Sequence, residues 1–237
     1  MELLPVEIIN EILLHVDKLT LYYTAQVCKQ WRHLALVQVV PIKTYQDFRT
    51  ACSIGDQLSI IRSKSFKSWF SNGLYSACLG KHETLVQLLI DKGANDWNYA
   101  LISACQAGHQ VLVQLMITKG ADNLNEGLAI VCKGGHEELA RLMITKGADN
   151  WNYALAAACG GGHQALAQLV ISKGATAWNS GLVAACEGGH QALAQLMITK
   201  GANDWDSGLD AAYIGGHQAL VQLMITKSVD DWDDSNQ

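Results

Sequence analysis

The chain has 237 residues, of which 49% are hydrophobic and 16% are charged, and its formal net charge is −5. This length and apolar content are enough for a substantial core in one or two domains. A net negative charge gives no electrostatic footprint for nucleic acid or an anionic membrane, and no apolar run approaches the roughly 18 residues of a membrane span. Composition therefore disfavours nucleic-acid-binding and membrane-spanning proteins.

Cysteine usage and the N-terminus indicate the compartment. Seven cysteines are an odd number, and five of them fall at one repeated position rather than in pairs that could form disulfides. This usage is typical of reduced thiols inside a cell. The start, MELLPVEIINEILL, is acidic and is interrupted by Glu7 and Glu11, unlike a secretory signal. We therefore expect a cytoplasmic or nuclear protein.

Residues 1–40 are predicted to form a separate helical segment. Pro5 suits the first turn of a helix, where its missing N–H costs no hydrogen bond. Two apolar sets follow, the first with Ile8, Ile9, Ile12, Leu13 and Val16, the second with Leu19, Leu21, Tyr22, Ala25 and Val27. About forty residues are too few for an independent core. The segment therefore needs a partner protein or the first repeat of the region that follows.

The order of anchors in this segment, Leu-Pro, Glu, Ile-Leu and then Val-Cys-Lys-x-Trp-Arg, resembles an F-box. The resemblance implies docking onto the Skp-type adaptor of a cullin-based ubiquitin ligase. The positions that match the motif, and that it implies as adaptor-binding, are Leu4, Pro5, Ile8, Ile12, Leu13, Leu19, Val27, Cys28 and Trp31. A simple helical cap for the repeats is the alternative. A cap must have a polar face, however, and need not combine Leu-Pro with Cys-Lys-x-Trp.

The rest of the chain is organised by a 27-residue repeat. Residues 41–69 are interpreted as a linker and a degenerate capping repeat, in which Asp56 follows Cys52 by four residues. Histidine then recurs every 27 residues, at His82, His109, His136, His163, His190 and His217. A fixed period between about 20 and 50 residues indicates stacked repeats. The six predicted units are 70–96, 97–123, 124–150, 151–177, 178–204 and 205–231, and a polar tail follows at 232–237.

Each unit is predicted to be a helical hairpin. NYALAAAC supplies a short first helix and HQALAQLMITK a second, with its apolar residues at helical spacing. The Gly-Gly between them breaks the helix. The second helix should end at Lys-Gly, as in Lys200-Gly201, where glycine takes the left-handed conformation and the cation faces the negative end of the dipole. A single hairpin cannot bury its apolar face, so the units must stack.

The string GGHEELARLMITKGADN (134–150) resembles the second half of an ankyrin repeat, and the resemblance covers roughly residues 66–231. The standard unit has about 33 residues, so each unit here lacks about six. The Thr-Pro-Leu-His start is also replaced, for example by Asn-Tyr-Ala-Leu. The expected fold is therefore all-α: an ankyrin-like helical-hairpin solenoid with shortened fingers, preceded by the small F-box-like segment. Short units of this kind resemble those of large DNA viruses of amoebae, which would place the protein in a host cytoplasm.

Five units carry cysteine and histidine four residues apart, at 78/82, 105/109, 132/136, 159/163 and 186/190. A structural zinc needs four ligands, and stacked helices roughly 8–10 Å apart are too distant for one metal to collect neighbouring histidines. A catalytic thiol needs one privileged copy and an orienting group, whereas the sixth unit has Tyr213 instead. We therefore expect a small buried cysteine and a histidine that starts the second helix and bonds locally to the backbone. No metal, cofactor or catalytic residue is expected.

Tryptophan begins four of the six units, Leu124 begins the third, and the tryptophan spacing continues at Trp232 in the tail. Stacked indoles could replace the packing of the missing fingers, or they could form an exposed stripe for a partner. A regular ladder favours packing, because it is what stacking identical units produces. The candidate partner-binding residues in this region are Trp97, Tyr99, Trp151, Tyr153, Trp178 and Trp205.

We expect the residues that determine partner specificity to lie at positions where the units differ. We define the variable columns by two positions of the first helix. They are 72/99/126/153/180/207, which reads Asn, Tyr, Glu, Tyr, Ser, Ser, and 79/106/133/160/187/214, which reads Leu, Gln, Lys, Gly, Glu, Ile. These positions could form a recognition surface, although neutral sequence change at solvent-exposed positions would give the same variation.

The two resemblances together predict a non-enzymatic, monomeric adaptor. Its F-box would recruit a ubiquitin ligase through the Skp-type adaptor, and its solenoid would hold the protein to be ubiquitylated. The alternative is a ligase-independent ankyrin scaffold or an inhibitor of a host protein, in which the N-terminal helices serve only as a cap. The last unit, with Asp210, Ser228 and the acidic end VDDWDDSNQ, is expected to close the solenoid with a polar face.

Overall fold

The computed structural model describes residues 44–57, Ile60 and residues 67–235. Residues 1–40, with the nine positions predicted to bind the ligase adaptor, lie outside the described residues. Thirteen helices and no strand occur in the part that is described, and the chain divides into two compact bodies after Ala94. The helices of the first body are α1 (Tyr45–Ser53), α2 (Lys67–Leu79) and α3 (Glu83–Asp91). Those of the second are α4 (Trp97–Ala107), α5 (Gln110–Lys119), α6 (Leu124–Gly134), α7 (Glu137–Thr145), α8 (Trp151–Gly161), α9 (Gln164–Ser172), α10 (Trp178–Gly188), α11 (Gln191–Lys200), α12 (Trp205–Ile214) and α13 (Gln218–Ser235).

The second body is a solenoid of five helical hairpins. The first helix of each hairpin packs on the first helix of the next, through the series α4, α6, α8, α10 and α12. Each second helix packs against the first helix of its own hairpin. The predicted all-α fold, built from stacked helical hairpins, is confirmed for the described residues.

The core lies between the two helix layers and repeats with the sequence. Leu128 and Leu155 of the first helices, and Ala140 and Ala167 of the second, are fully buried. Fully burying a leucine stabilises a fold by about 1.5–3 kcal/mol. In the last hairpin, the equivalent Leu209 is only half-buried and the neighbouring Asp210 is exposed. The repeated leucines therefore need a following hairpin to cover them.

The turns between hairpins are short, as predicted. Only residues 201–204 separate α11 from α12, and no strand occurs between them. Gly201 has a φ of 107°, in the left-handed region that glycine adopts without a steric penalty. The ankyrin-like finger is thus reduced to a short turn that begins with a glycine.

The last helix, α13, continues past the position at which the second helices of the earlier hairpins end. Ser228 stands where the earlier hairpins have the terminal glycine, and α13 continues to Ser235. Lys227 and Asp230 form a salt bridge of 2.9 Å on the extension. Four residues of the predicted polar tail are therefore helical. No helix in the described part of the chain is both long and apolar enough to span a membrane.

First helices of the second body begin with a side-chain cap in several units. Asp96, Asn150 and Asp204 each accept a hydrogen bond from the backbone N–H three residues later, at 3.1–3.2 Å. Ala177 occupies this position before α10 and offers no acceptor. Asn123, before α6, makes no side-chain capping bond either, so two of the five helix starts lack the bond, and only at Ala177 does the residue type itself exclude it.

Replacing Ala177 by aspartate should raise the free energy of unfolding by about 1 kcal/mol, because an N-cap oxygen satisfies a free backbone N–H at a helix start. The carboxylate also faces the positive end of the helix dipole. Urea denaturation followed by circular dichroism measures the change. Asp204→Ala is the matched control and should lose about the same amount. A neutral Ala177→Asp beside a destabilising Asp204→Ala would contradict the prediction.

Candidate interaction surfaces

The candidate aromatic residues fall into two environments. The indoles of Trp97, Trp151 and Trp178 are half-buried at the starts of the first helices, and Leu124 is half-buried at the same place in the third unit. The indole of Trp205, also half-buried, donates a hydrogen bond to Asp231. Ring pairs in the described residues occur around Trp69 and Phe48, and none joins one of these tryptophans to the next. The indoles are neither fully packed nor fully exposed.

The two candidate tyrosines are much more open than the tryptophans. Tyr99 is 53% exposed and Tyr153 is 52% exposed, although each lies only two residues after a tryptophan. Both belong to the first variable column. A partner would reach these rings without any rearrangement of the helices.

An asparagine ladder, which the sequence analysis did not single out, joins each first helix to the turn that leads to the next. Asn98 accepts from the backbone N–H of Asp122 at 2.8 Å and of Asn123 at 3.2 Å. Asn152 does the same to Thr176 at 2.8 Å and Ala177 at 3.0 Å. The ladder consists of Asn98, Asn125, Asn152 and Asn179. Its signal was present in the sequence, because each of these residues follows the first residue of a unit.

Three of the six repeated histidines bond the preceding unit, which differs in part from the local role predicted for all of them. His109 does accept from the backbone N–H of Leu112, at 3.4 Å, within its own helix start. His163 Nε2, in contrast, bonds the carbonyl of Lys133 in the preceding unit at 3.1 Å, and His217 Nε2 bonds that of Glu187 at 3.1 Å. His82 bonds Ser53 in the same way at 2.9 Å. The ring is long enough to cross the interface, so it bridges two units as well as starting a helix.

Glycine makes room for these rings. Gly135 ends α6 with a φ of 78°, and an added Cβ there would lie 2.7 Å from Nδ1 and 2.9 Å from Nε2 of His163. The same relation holds between Gly189 and His217. The second glycine of the Gly-Gly pair is therefore required twice, once for its backbone conformation and once for the next histidine.

The cysteines of the repeat are buried thiols. All six in the described residues are free. Burial alone raises the pKa of Cys132 and Cys159 to about 12, and that of Cys186 to about 11. A thiol with such a pKa stays protonated near neutral pH, whereas nucleophilic attack and metal binding need the thiolate. No group of three or more His, Cys, Asp or Glu side chains that could hold a metal occurs in the described part.

The variable columns lie on the surface. Every residue of the first column is exposed, and in the second column all are exposed except the half-buried Gly160. The second helices have an equally open column that hardly varies, with glutamine in five of six units: Gln87, Gln114, Arg141, Gln168, Gln195 and Gln222. Another exposed column of the second helices, 84/111/138/165/192/219, does vary, so variation is not confined to the first helices. It is greatest in the column 79/106/133/160/187/214, where all six residues differ.

Comparisons with known proteins bear on both parts of the chain. Residues 1–40 match the F-box domain model. The fold is similar to the crystal structure of the human ASB11 ankyrin repeat domain, with a TM-score of 0.52 and 21% sequence identity over 74% of this chain and 96% of that one. No curated protein matches the chain significantly. The chain therefore combines an N-terminal segment similar to the F-box domain with a helical solenoid of the ankyrin-repeat fold.

Proposed function

We propose that this protein is an adaptor of a ubiquitin ligase. Its residues 1–40 bind the Skp-type adaptor of a cullin-based ligase, and its solenoid holds the protein that is to be ubiquitylated. The observation that carries the proposal is the F-box match in the same chain as a solenoid of the ankyrin-repeat fold. Two binding surfaces on one molecule raise the effective concentration of the target near the ligase. No bond-making chemistry is assigned to the chain's own residues.

The variable columns of the first helices support the proposal that the solenoid holds a target protein. They include the exposed Tyr99 and Tyr153, and tyrosine is enriched at the centres of protein interfaces. Glu126, Lys133 and Glu187 add charges that differ from unit to unit. A target that spans several units could therefore be recognised by its pattern of charge along the helices. The free, buried cysteines fit a reducing compartment, the cytoplasm or the nucleus.

Binding of purified Skp-type adaptor to the full chain tests the first half. We expect a stable complex, and Pro5→Ala combined with Trp31→Ala should weaken it at least tenfold, because both positions match the F-box motif. The matched control is Tyr99→Ser with Tyr153→Ser, which alters the solenoid face and should leave adaptor binding unchanged. Affinity can be measured by isothermal titration calorimetry.

Failure of the intact chain to bind the adaptor would contradict the proposal. It would favour the ligase-independent scaffold, in which the N-terminal helices cap the solenoid. Hydrogen exchange distinguishes the ligase adaptor from the ligase-independent scaffold, and the experiment does not require the target protein. Slow exchange across residues 4–31 in the isolated chain indicates a cap, and fast exchange that slows when the adaptor is added indicates an F-box.

A further inference from the structure

A cavity of about 440 Å³ lies in the first body, between α1 and α2. Gln46, Arg49 and Thr50 line it from α1, and Tyr75 and Leu79 line it from α2. The three residues from α1 are exposed, Tyr75 is half-buried and Leu79 is 39% exposed. The cavity is therefore open to a side chain from another molecule.

The register of the repeat places positions of the variable columns in the lining of this cavity. When Cys52 of the degenerate repeat is aligned with Cys78, Gln46 takes the position of Asn72 and Ser53 that of Leu79. Both positions belong to the variable columns. The bond from His82 to Ser53 has the same form as those between units of the second body. Within the first body, the degenerate repeat thus carries the variable positions of α2 over to α1.

The chemistry of the lining is cationic and rich in hydrogen-bond donors. Among the residues that the structure describes, Arg49 makes no hydrogen bond or ion pair through its guanidinium. No acidic residue lines the cavity. The nearest carboxylate in sequence, Asp47, accepts from the backbone N–H of Thr44 at 2.9 Å and closes the start of α1. The Gln46 amide and the Thr50 hydroxyl supply further donors.

The distribution of charge along the chain favours the same kind of ligand. Residues 44–94 carry six basic and four acidic side chains, whereas residues 95–237 carry seven basic and fourteen acidic ones. An acidic segment would be attracted to the first body and repelled by the second. Charge therefore favours an acidic ligand at the first body and a basic ligand at the second.

We propose that this cavity binds an acidic side chain, a glutamate or an aspartate, of the protein that the solenoid holds. The proposal rests on the proposed function and specifies the chemistry of its target. A carboxylate matches the planar fork of the Arg49 guanidinium and can accept two parallel hydrogen bonds from it. Leu79 and the ring of Tyr75 would contact the methylene groups. An apolar side chain would cover Arg49 without a partner, which is costly.

Phage-displayed peptides test the proposal on the full chain. Two libraries of 13-residue peptides are used, one with glutamate fixed at the centre and the other with glutamine. We expect binders from the glutamate library, whose affinity falls about tenfold with Arg49→Gln because the ion pair is lost. Their binding should also weaken with added salt. Arg141→Gln is the matched control, since Arg141 is an exposed arginine on a second helix, and it should leave the affinity unchanged.

Three results would overturn the inference: equal yields from both libraries, binders that are indifferent to Arg49→Gln, or no binder from either library. The Skp-type adaptor is titrated against the same variants. Arg49→Gln should leave the affinity for the adaptor unaltered. A negative result with the peptides would therefore contradict only the cavity proposal and not the ligase function. A wild-type chain that binds the glutamate peptides but not the adaptor would refute the ligase function alone.

Discussion

Replacing Gly135 by alanine should lower the free energy of unfolding by about 3 kcal/mol. Two costs combine in this substitution. Alanine in the left-handed conformation costs about 1–2 kcal/mol, and displacing a packed group costs a further 1–3 kcal/mol. The group displaced is the imidazole of His163, which would also lose its bond to the Lys133 carbonyl. Urea denaturation monitored by circular dichroism gives the change.

Gly216 provides the matched control for this prediction. It occupies the same position in the last unit with a φ of 75°, but nothing lies within 4 Å of an added Cβ because no further histidine follows. Gly216→Ala should therefore show only the backbone cost, about 1 kcal/mol. In a His163→Ala background, Gly135→Ala should fall to the same value. Equal effects of Gly135→Ala and Gly216→Ala in the wild-type chain would show that the histidine contact contributes nothing.

Asn152→Ala should destabilise the protein by about 2 kcal/mol, because it removes the acceptor for two backbone N–H groups and each such bond is worth about 1 kcal/mol. The donors are Thr176 and Ala177, in the turn that leads from α9 to α10. Without the asparagine this turn has to be held by water. Hydrogen exchange of these two amides reports the local loss, and denaturation reports the global one.

Asn152→Asp is the informative companion to this variant. Its carboxylate keeps both accepted bonds, and no carboxylate opposes it, since the partner is Thr176. We expect a change below about 0.5 kcal/mol. Asn125→Asp should behave worse, because the Asn125 amide donates at 3.1 Å to Asp149, and an aspartate there would face a like charge. If alanine and aspartate at 152 were equally damaging, the accepted hydrogen bonds would not be the cause.

Much of the fold could be predicted from the period of the sequence. Gly-Gly and Lys-Gly mark the ends of the helices, and Leu155 and Leu166 recur at positions that only a buried face explains. These signals are local, because helix periodicity and glycine conformation act within a few residues. The short turns at 201–204 follow for the same reason, since six residues fewer than an ankyrin unit leave no length for a finger.

The interactions between units were harder to predict. Asn152 finds its partners 24 and 25 residues away, and His163 finds its partner 30 residues away. These sequence separations cannot be predicted from the residue pattern within one unit. The partner in each case is a backbone group, which every residue type supplies. The tryptophans present a similar difficulty. Trp151 and Tyr153 are two positions apart in one helical turn, yet one is half-buried and the other is mostly exposed.

The asparagine and histidine bonds also have a consequence for how such a chain can change over generations. Each bond uses a backbone group, so its partner is present whichever unit comes next. Loss of residues 151–177 would bring the carbonyl of Lys133 opposite His190, and Asn125 would keep its own turn. Whole units can thus be gained or lost through recombination between near-identical stretches of the gene, without any new interface to optimise. The length of the recognition surface can then evolve separately from the residues that cover it.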